Sequence, residues 1–190
     1  MAGPAPVAPA AAVRDHLEDG GLAALPTESA WTLACLVASE DATARLRRQA
    51  PGHVAAGFAS WLEASLFVEA TPAAQQLAAR LLPGPLGLLL EDAGAGLAHL
   101  AGDRGLCVRV PSHPTANLLL GELGPMAFGD LRVGGGAADV AAALGGLGCL
   151  VAEGDAGRSG ATLVDARGER PRVVEHGALA PDAIEAAVRA

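Results

Sequence analysis

The chain has 190 residues, about the length of one domain, and half of them are apolar. Its net charge of −8 argues against a general nucleic-acid surface, because phosphate contacts need clustered basic residues. All 13 basic residues are arginine, so no role that needs a lysine can be filled, and no apolar run approaches the roughly 18 residues of a membrane span.

The opening MAGPAPVAPAAAV lacks a basic n-region and carries prolines, so it does not read as a signal peptide, and residues 1–8 read as a disordered, frayed tail. Pro9 to Asp19, with Val13 and Leu17 four apart and Gly20–Gly21 behind them, reads as a helix. The stretch GGLAALPTESAWTL at 20–33 organises the rest. Its apolar run predicts a buried strand stopped at Pro26, and a hydroxyl-rich turn follows. Open α/β sheets place ligands at such strand ends. Thr27, Ser29 and Thr32 are therefore expected at a pocket mouth, with Trp31 as its wall. Leu33 to Val37 reads as a second strand. Ser39 opens a helix with Glu40 and Asp41 first and Arg45, Arg47 and Arg48 last, which suits the helix dipole. Ala55 to Phe58 reads as a strand, and Trp61 to Val68 fits helix or strand.

Thr71–Pro72 starts a helix that Pro83–Gly84–Pro85 ends. Leu86 to Leu90 reads as a strand, followed by a loose acidic, glycine-rich loop through Arg104. Leu106 to Val110 is a strand, Pro114 to Glu122 a helix, Pro125 to Phe128 a short strand, and Gly134 to Gly136 a flexible joint. A helix over Ala137 to Leu144 follows, then strands at Cys149 to Ala152, Thr162 to Ala166 and Arg172 to Glu175. Pro181 to Arg189 forms the last helix. The fold class is α/β: a single domain over 9–190, a twisted mixed sheet flanked by helices around a concave cleft. Cys35, Cys107 and Cys149 lie far apart in apolar runs without ligand spacing, which points to buried thiols of a reducing cytoplasm and to no metal site.

Three pieces carry a family resemblance: LPTESAWTL at 25–33, LLPGPLGLLL at 81–90 and VRVPSHPTANLLL at 108–120. With the ending ATLVDARGERPRVVEHGAL at 161–179, they resemble the Sua5/YciO/YrdC family, the threonylcarbamoyl-AMP synthases of tRNA modification. The resemblance implies a YrdC-like domain that condenses L-threonine, bicarbonate and ATP, with Mg²⁺, into threonylcarbamoyl-adenylate and pyrophosphate. It assigns Thr27, Ser29, Trp31, His53 and Thr162 to substrate, Arg47, Arg109 and Thr162 to nucleotide, and Arg109 and Arg48 to catalysis. Such chemistry needs preorganised positive charge at the phosphate oxygens.

The departures from the family pattern are as specific as the matches. The family's Lys–Arg pair should fall in ARLRRQAPGH at 44–53, where Arg47 or Arg48 stands in and the lysine is absent. The family's Ser-Ala-Asn loop should follow Pro125, where FGDLRVGGG stands, and the only asparagine, Asn117, lies elsewhere. The late arginine is replaced by Glu175, and Ala161 takes the place of a serine.

Each residue also has a plain structural reading. Thr27 and Ser29 cap a turn, Trp31 is core, and Arg109 is a buried arginine paired with a carboxylate. Arg47 and Arg48 are a solvated helix end, and Arg132 belongs to a surface loop or to a new anion nest. His113 starts a helix, and Asp165 bonds at a strand end. Two functions stay open: a divergent synthase with weakened or lost activity, and a decayed module that binds a small ligand or a protein. The family's proposed affinity for double-stranded RNA is a third reading, opposed by the charge. Oligomeric state is not legible.

Overall fold

A computed structural model describes residues 3–50, 52–102 and 105–189. In chain order the elements are β1 (Val7–Ala8), α1 (Ala10–Glu18), β2 (Leu22–Pro26), β3 (Trp31–Leu36), α2 (Glu40–Gln49) and β4 (Val54–Gly57). Next come α3 (Trp61–Ala64), β5 (Val68–Glu69), α4 (Pro72–Leu81), β6 (Leu86–Asp92), β7 (Leu106–Arg109) and α5 (Pro114–Leu123). The chain continues with β8 (Met126–Asp130), α6 (Ala137–Ala143), β9 (Cys149–Ala152), β10 (Thr162–Asp165), β11 (Arg172–Glu175) and α7 (Pro181–Arg189).

Ten strands form one mixed sheet in the order β1-β9-β2-β3-β8-β4-β7-β6-β10-β11, and β5 pairs with β6. The α/β class and the mixed, helix-flanked sheet follow the sequence expectation. The helices start where capping chemistry predicts. The hydroxyls of Ser39 and Thr71 accept from the backbone N–H of Ala42 and Ala74, and Pro72 and Pro114 sit in first turns.

Because strand side chains alternate, β2 divides its apolar residues between the two sides of the sheet. Leu22 and Ala24 join one core, and Ala23 and Leu25 the other. Ala42 and Leu46 of α2, Leu77 of α4, Val140 of α6 and Ile184 of α7 cover the first face. On the second face, Val13 and Leu17 of α1 pack with Leu119 and Leu120 of α5. This pair lies over β9, β2 and β3. Among the described residues, α1 and α5 make their main sheet contacts away from the other half of that face, β8 to β11, and the cleft lies in this less covered half.

Three expectations need correction and one open stretch is resolved. Residues 1–8 are not all a frayed tail: Val7 and Ala8 pair in parallel with Val151 and Ala152, and Ala5 is buried with its N–H bonded to Ala141 O at 2.8 Å. The edge of β9 offers donors and acceptors that this extended segment satisfies. Met1 and Ala2 lie outside the described residues. The glycine-rich loop after β6 is pinned, because Leu97 and Leu100 are buried; Asp103 and Arg104 lie outside the described residues. The ambiguous 61–68 stretch splits into α3 and β5. Finally, β8 runs to Asp130, two residues past the expected end at Phe128. Among the described residues, no helix is long and apolar enough to cross a membrane.

Gly57 of β4 is a tight point of the sheet. A Cβ there would lie 2.3 Å from the Phe128 ring. The substitution Gly57→Ala is expected to destabilise the fold by about 1–3 kcal/mol through overpacking, measured as a lower urea midpoint at unchanged slope.

Candidate functional site

The less covered half-face holds a cleft of about 140 Å³, with Arg109, Asp130, Arg132, His53 and Glu175 as its charged and titratable lining. Its floor is small and apolar: Ala55 of β4, Gly87 of β6, Cys107 of β7 and Leu163 of β10. Strand register explains the grouping. Arg109 stands between Gly57 of β4 and Gly87 of β6, so no neighbouring Cβ crowds its stem. Phe128 and Asp130 point the same way two residues apart, as the strand period demands.

Arg109 is the centre of the site and is only 4% exposed. Its Nη1 donates to Asp130 Oδ1 at 2.6 Å, and Nη2 donates to Ser29 Oγ at 2.7 Å and to Thr27 Oγ1 at 3.5 Å. The guanidinium carbon lies 6.0 Å from the centre of the Phe128 ring. The buried Nε has no partner among the described residues. A buried guanidinium is tolerated because it is paired and bonded in this way.

The PTES turn exists to hold that arginine. Thr27 Oγ1 donates to Ala30 O at 2.6 Å and lies 3.0 Å from Ser29 Oγ. Thr27 and Ser29 are fully buried. They are therefore not at a pocket mouth, and their oxygens face Arg109 and the turn. Glu28 between them accepts from the N–H groups of Ser112 and His113 at 2.9 and 3.3 Å, which ties the turn to the entry of α5. His113 is the N-cap of that helix. Gly157 and Gly160 donate backbone N–H groups to Thr27 O and Ser29 O, so a later loop is strapped across the same turn.

The other expected site residues divide. His53 lines the cleft with Nε2 3.8 Å from Glu175 Oε1. Trp31 is 1% exposed, donates its indole N–H to Gly135 O at 3.2 Å and borders an adjoining groove of about 380 Å³. That groove shares Asp130 and Arg132 with the cleft and adds Arg158. Thr32 is fully buried, with no partner for its hydroxyl among the described residues, and is not at a pocket mouth.

Thr162 is corrected as well. Its hydroxyl donates to Leu179 O at 3.2 Å and accepts from the N–H of Gly177 and Leu179. Alternation along β10 turns Ala161 and Leu163 into the cleft and Thr162 away from it. Arg47 and Arg48 are corrected for a similar reason. Their helix packs Ala42 and Leu46 on the opposite face of the sheet. Arg47 donates to the carbonyls of His99 and Leu100 at 2.8 and 3.3 Å, and Arg48 is exposed and lines neither cavity.

Asp130 is the functional residue that sequence reading missed. The signal was present: Phe128-Gly129-Asp130 continues the period-two pattern of β8, but the expected strand ended at Phe128. Asp165 is a strand-end bonder, since Arg167 at 2.8 Å holds its carboxyl below the usual range. Among the described residues, no group of three His, Cys, Asp or Glu side chains could hold a metal ion.

Cys107 lines the cleft, yet its thiol is pushed up to about 12 by burial, and burial raises Cys35 to about 11. Burial thus favours the protonated thiol at the cleft floor at neutral pH.

The Sua5_yciO_yrdC family model, described as telomere recombination, matches residues 15–177. A Mycobacterium tuberculosis (strain ATCC 25618 / H37Rv) protein named "Putative threonylcarbamoyl-AMP synthase" is 32% identical over 183 residues, covering 88% of this chain and 83% of its own. Among solved structures, E. coli YciO is 25% identical with a TM-score of 0.78, and 93% of each chain is covered. A variant of P. abyssi Sua5 is 26% identical with a TM-score of 0.76, covering 93% of this chain and 57% of that one. P. abyssi Sua5 complexed with L-threonine, 23% identical, shares the fold with a TM-score of 0.79, covering all of this chain and 61% of that one. This chain thus spans less than two thirds of the Sua5 chains.

Two outcomes follow from this geometry. Ser29→Ala removes the short acceptor of a buried guanidinium and is expected to cost about 1–3 kcal/mol in chemical denaturation. The chain has neither lysine nor tyrosine, so thiols are the side chains that titrate between about pH 8 and pH 12. Burial raises their folded values, so the unfolded state loses thiol protons first as pH rises. Stability is full below about pH 8 and falls above about pH 9, by up to about 1.4 kcal/mol per pH unit for each buried thiol. Urea unfolding across that range checks it, and Cys107→Ala should flatten the slope.

Proposed function

This chain belongs to the Sua5/YciO/YrdC family, and from that premise we propose that it is a small-ligand-binding member whose adenylate chemistry is weakened or lost. The single observation that carries this reading is the 2.6 Å ion pair between Arg109 and Asp130. The resemblance assigns Arg109 to phosphate oxygens, and a carboxylate of the same chain stands against it.

The ATP and Mg²⁺ that the resemblance implies were weighed against the donor set of the cleft, and the fit fails. Two guanidinium groups, Arg109 and Arg132, face two carboxylates, Asp130 and Glu175, so the lining has no positive excess apart from His53. Phosphoryl and adenylyl chemistry needs such an excess. One missing oxyanion donor costs about 3 kcal/mol, and two cost on the order of 10⁴ in rate. The cleft alone, about 140 Å³, is below the roughly 300–1,000 Å³ of clefts that enclose a drug-sized ligand, and a larger ligand would have to extend into the adjoining groove.

A mixed-charge lining of this size suits a zwitterion of amino-acid dimensions. Its carboxylate would meet Arg132, and its ammonium group would meet Asp130 or Glu175. L-threonine, which is bound by the P. abyssi relative, is the first ligand to try.

A second reading, residual threonylcarbamoyl-AMP synthase activity, is favoured by one observation. The adjoining groove carries Arg132 and Arg158, which make no ion pair among the described residues. The two readings separate in one experiment. Calorimetry with L-threonine should show binding, and ATP should show none at micromolar concentration. Incubation with ATP, Mg²⁺, L-threonine and bicarbonate should release no pyrophosphate above the blank. Micromolar ATP binding with threonine-dependent pyrophosphate release would replace the first reading by the second.

A further inference from the structure

The position taken by Asp130 has a chemical meaning of its own. Its Oδ1 lies 2.6 Å from Arg109 Nη1, where an oxyanion of a ligand would otherwise bind. The two sides of the pair differ sharply in setting. The Arg109 side chain is 5% exposed and is fixed by Ser29 and the aromatic ring, whereas the Asp130 side chain is 45% exposed at the last residue of β8. The cation is therefore built into the floor, and the anion is its solvent-side cover. Beyond Asp130 the chain passes through Arg132 to Gly134, Gly135 and Gly136. The Nε, without a partner among the described residues, leaves part of the donor capacity of the guanidinium unused there.

We propose that Asp130 is an intramolecular counterion that sets the charge specificity of the cleft. It occupies the anion position on Arg109, so the cleft turns away phosphate-bearing ligands and accepts ligands that bring a positive group. An incoming oxyanion must displace a tethered carboxylate and then lie beside its charge. A ligand with an ammonium group instead gains a second partner at Asp130. This inference rests on the ligand-binding reading above, and it names the residue responsible for the choice of ligand charge. Glu175 contributes to the same lining but pairs with His53, not with Arg109.

The test uses inorganic phosphate as the probe, with affinity read by calorimetry or by ³¹P line broadening on the full chain. Asp130→Asn keeps the side-chain shape and a carbonyl acceptor for Arg109 while removing the charge. It is expected to bind phosphate at least about tenfold more tightly than the wild type. Should Asp130→Asn fail to fold, Asp130→Ser at the same half-exposed position replaces it. Glu175→Gln removes one equal charge from the same cleft without touching Arg109, and it should change phosphate affinity less than about threefold. An increase confined to the Asp130 variants supports the proposal. Phosphate affinity unchanged in the Asp130 variants, or raised equally by Glu175→Gln, overturns it, as does wild-type binding as tight as that of Asp130→Asn. L-threonine is titrated into the wild type separately. Absence of threonine binding counts against the ligand-binding reading and leaves the phosphate comparison to decide on Asp130.

Discussion

The buried guanidinium of Arg109 is the constraint on which the rest of this structure depends. A permanent charge at 4% exposure demands partners, and the chain supplies them from two places distant in sequence. Ser29 comes from the turn after β2, Asp130 from the end of β8, and the Phe128 ring from the same strand. The strand order makes this possible. Placing β8 between β3 and β4 brings the turn that precedes β3 and the end of β8 to one side of β7. The residues that read as a substrate-binding motif in the sequence also form, in three dimensions, the setting of an arginine.

Much of the architecture could be read from the sequence because local physics and tertiary packing agree. Ser39, Thr71, Pro72 and Pro114 start helices wherever they occur in such patterns, and the buried strands are apolar on both faces. The site was less legible, for identifiable reasons. Thr27 and Ser29 were recognised as important, but a sequence does not say whether a hydroxyl points to a ligand or to a buried guanidinium. Thr162 differs from its two neighbours in β10 only by the alternation of the strand, and that parity is fixed by pairing with β6. Arg47 and Arg48 sit at the right distance along the chain, but their helix covers the wrong face. Asp130 lies beyond the expected strand end at Phe128, whereas Gly129 fits against Leu46 and Ala50 and the pairing continues to Asp130.

The charge reversal at Glu175 and the carboxylate at Asp130 bear on one another. Each alone is a single departure from the family's cationic pattern. Together they line one small cleft and balance its two arginines. Membership of the family fixes the scaffold, while these acidic side chains set what the scaffold can attract.

The less covered half-face also bears on kinetics. Its floor of Ala55, Cys107 and Leu163 is held by backbone ladders on both sides, not by a movable element. Among the described residues no helix has to swing aside before a solute reaches the floor, and the side chains of Asp130 and Arg132 stand at its rim. Arrival should therefore be governed by diffusion and by shedding of water, and residence time by the polar rim alone.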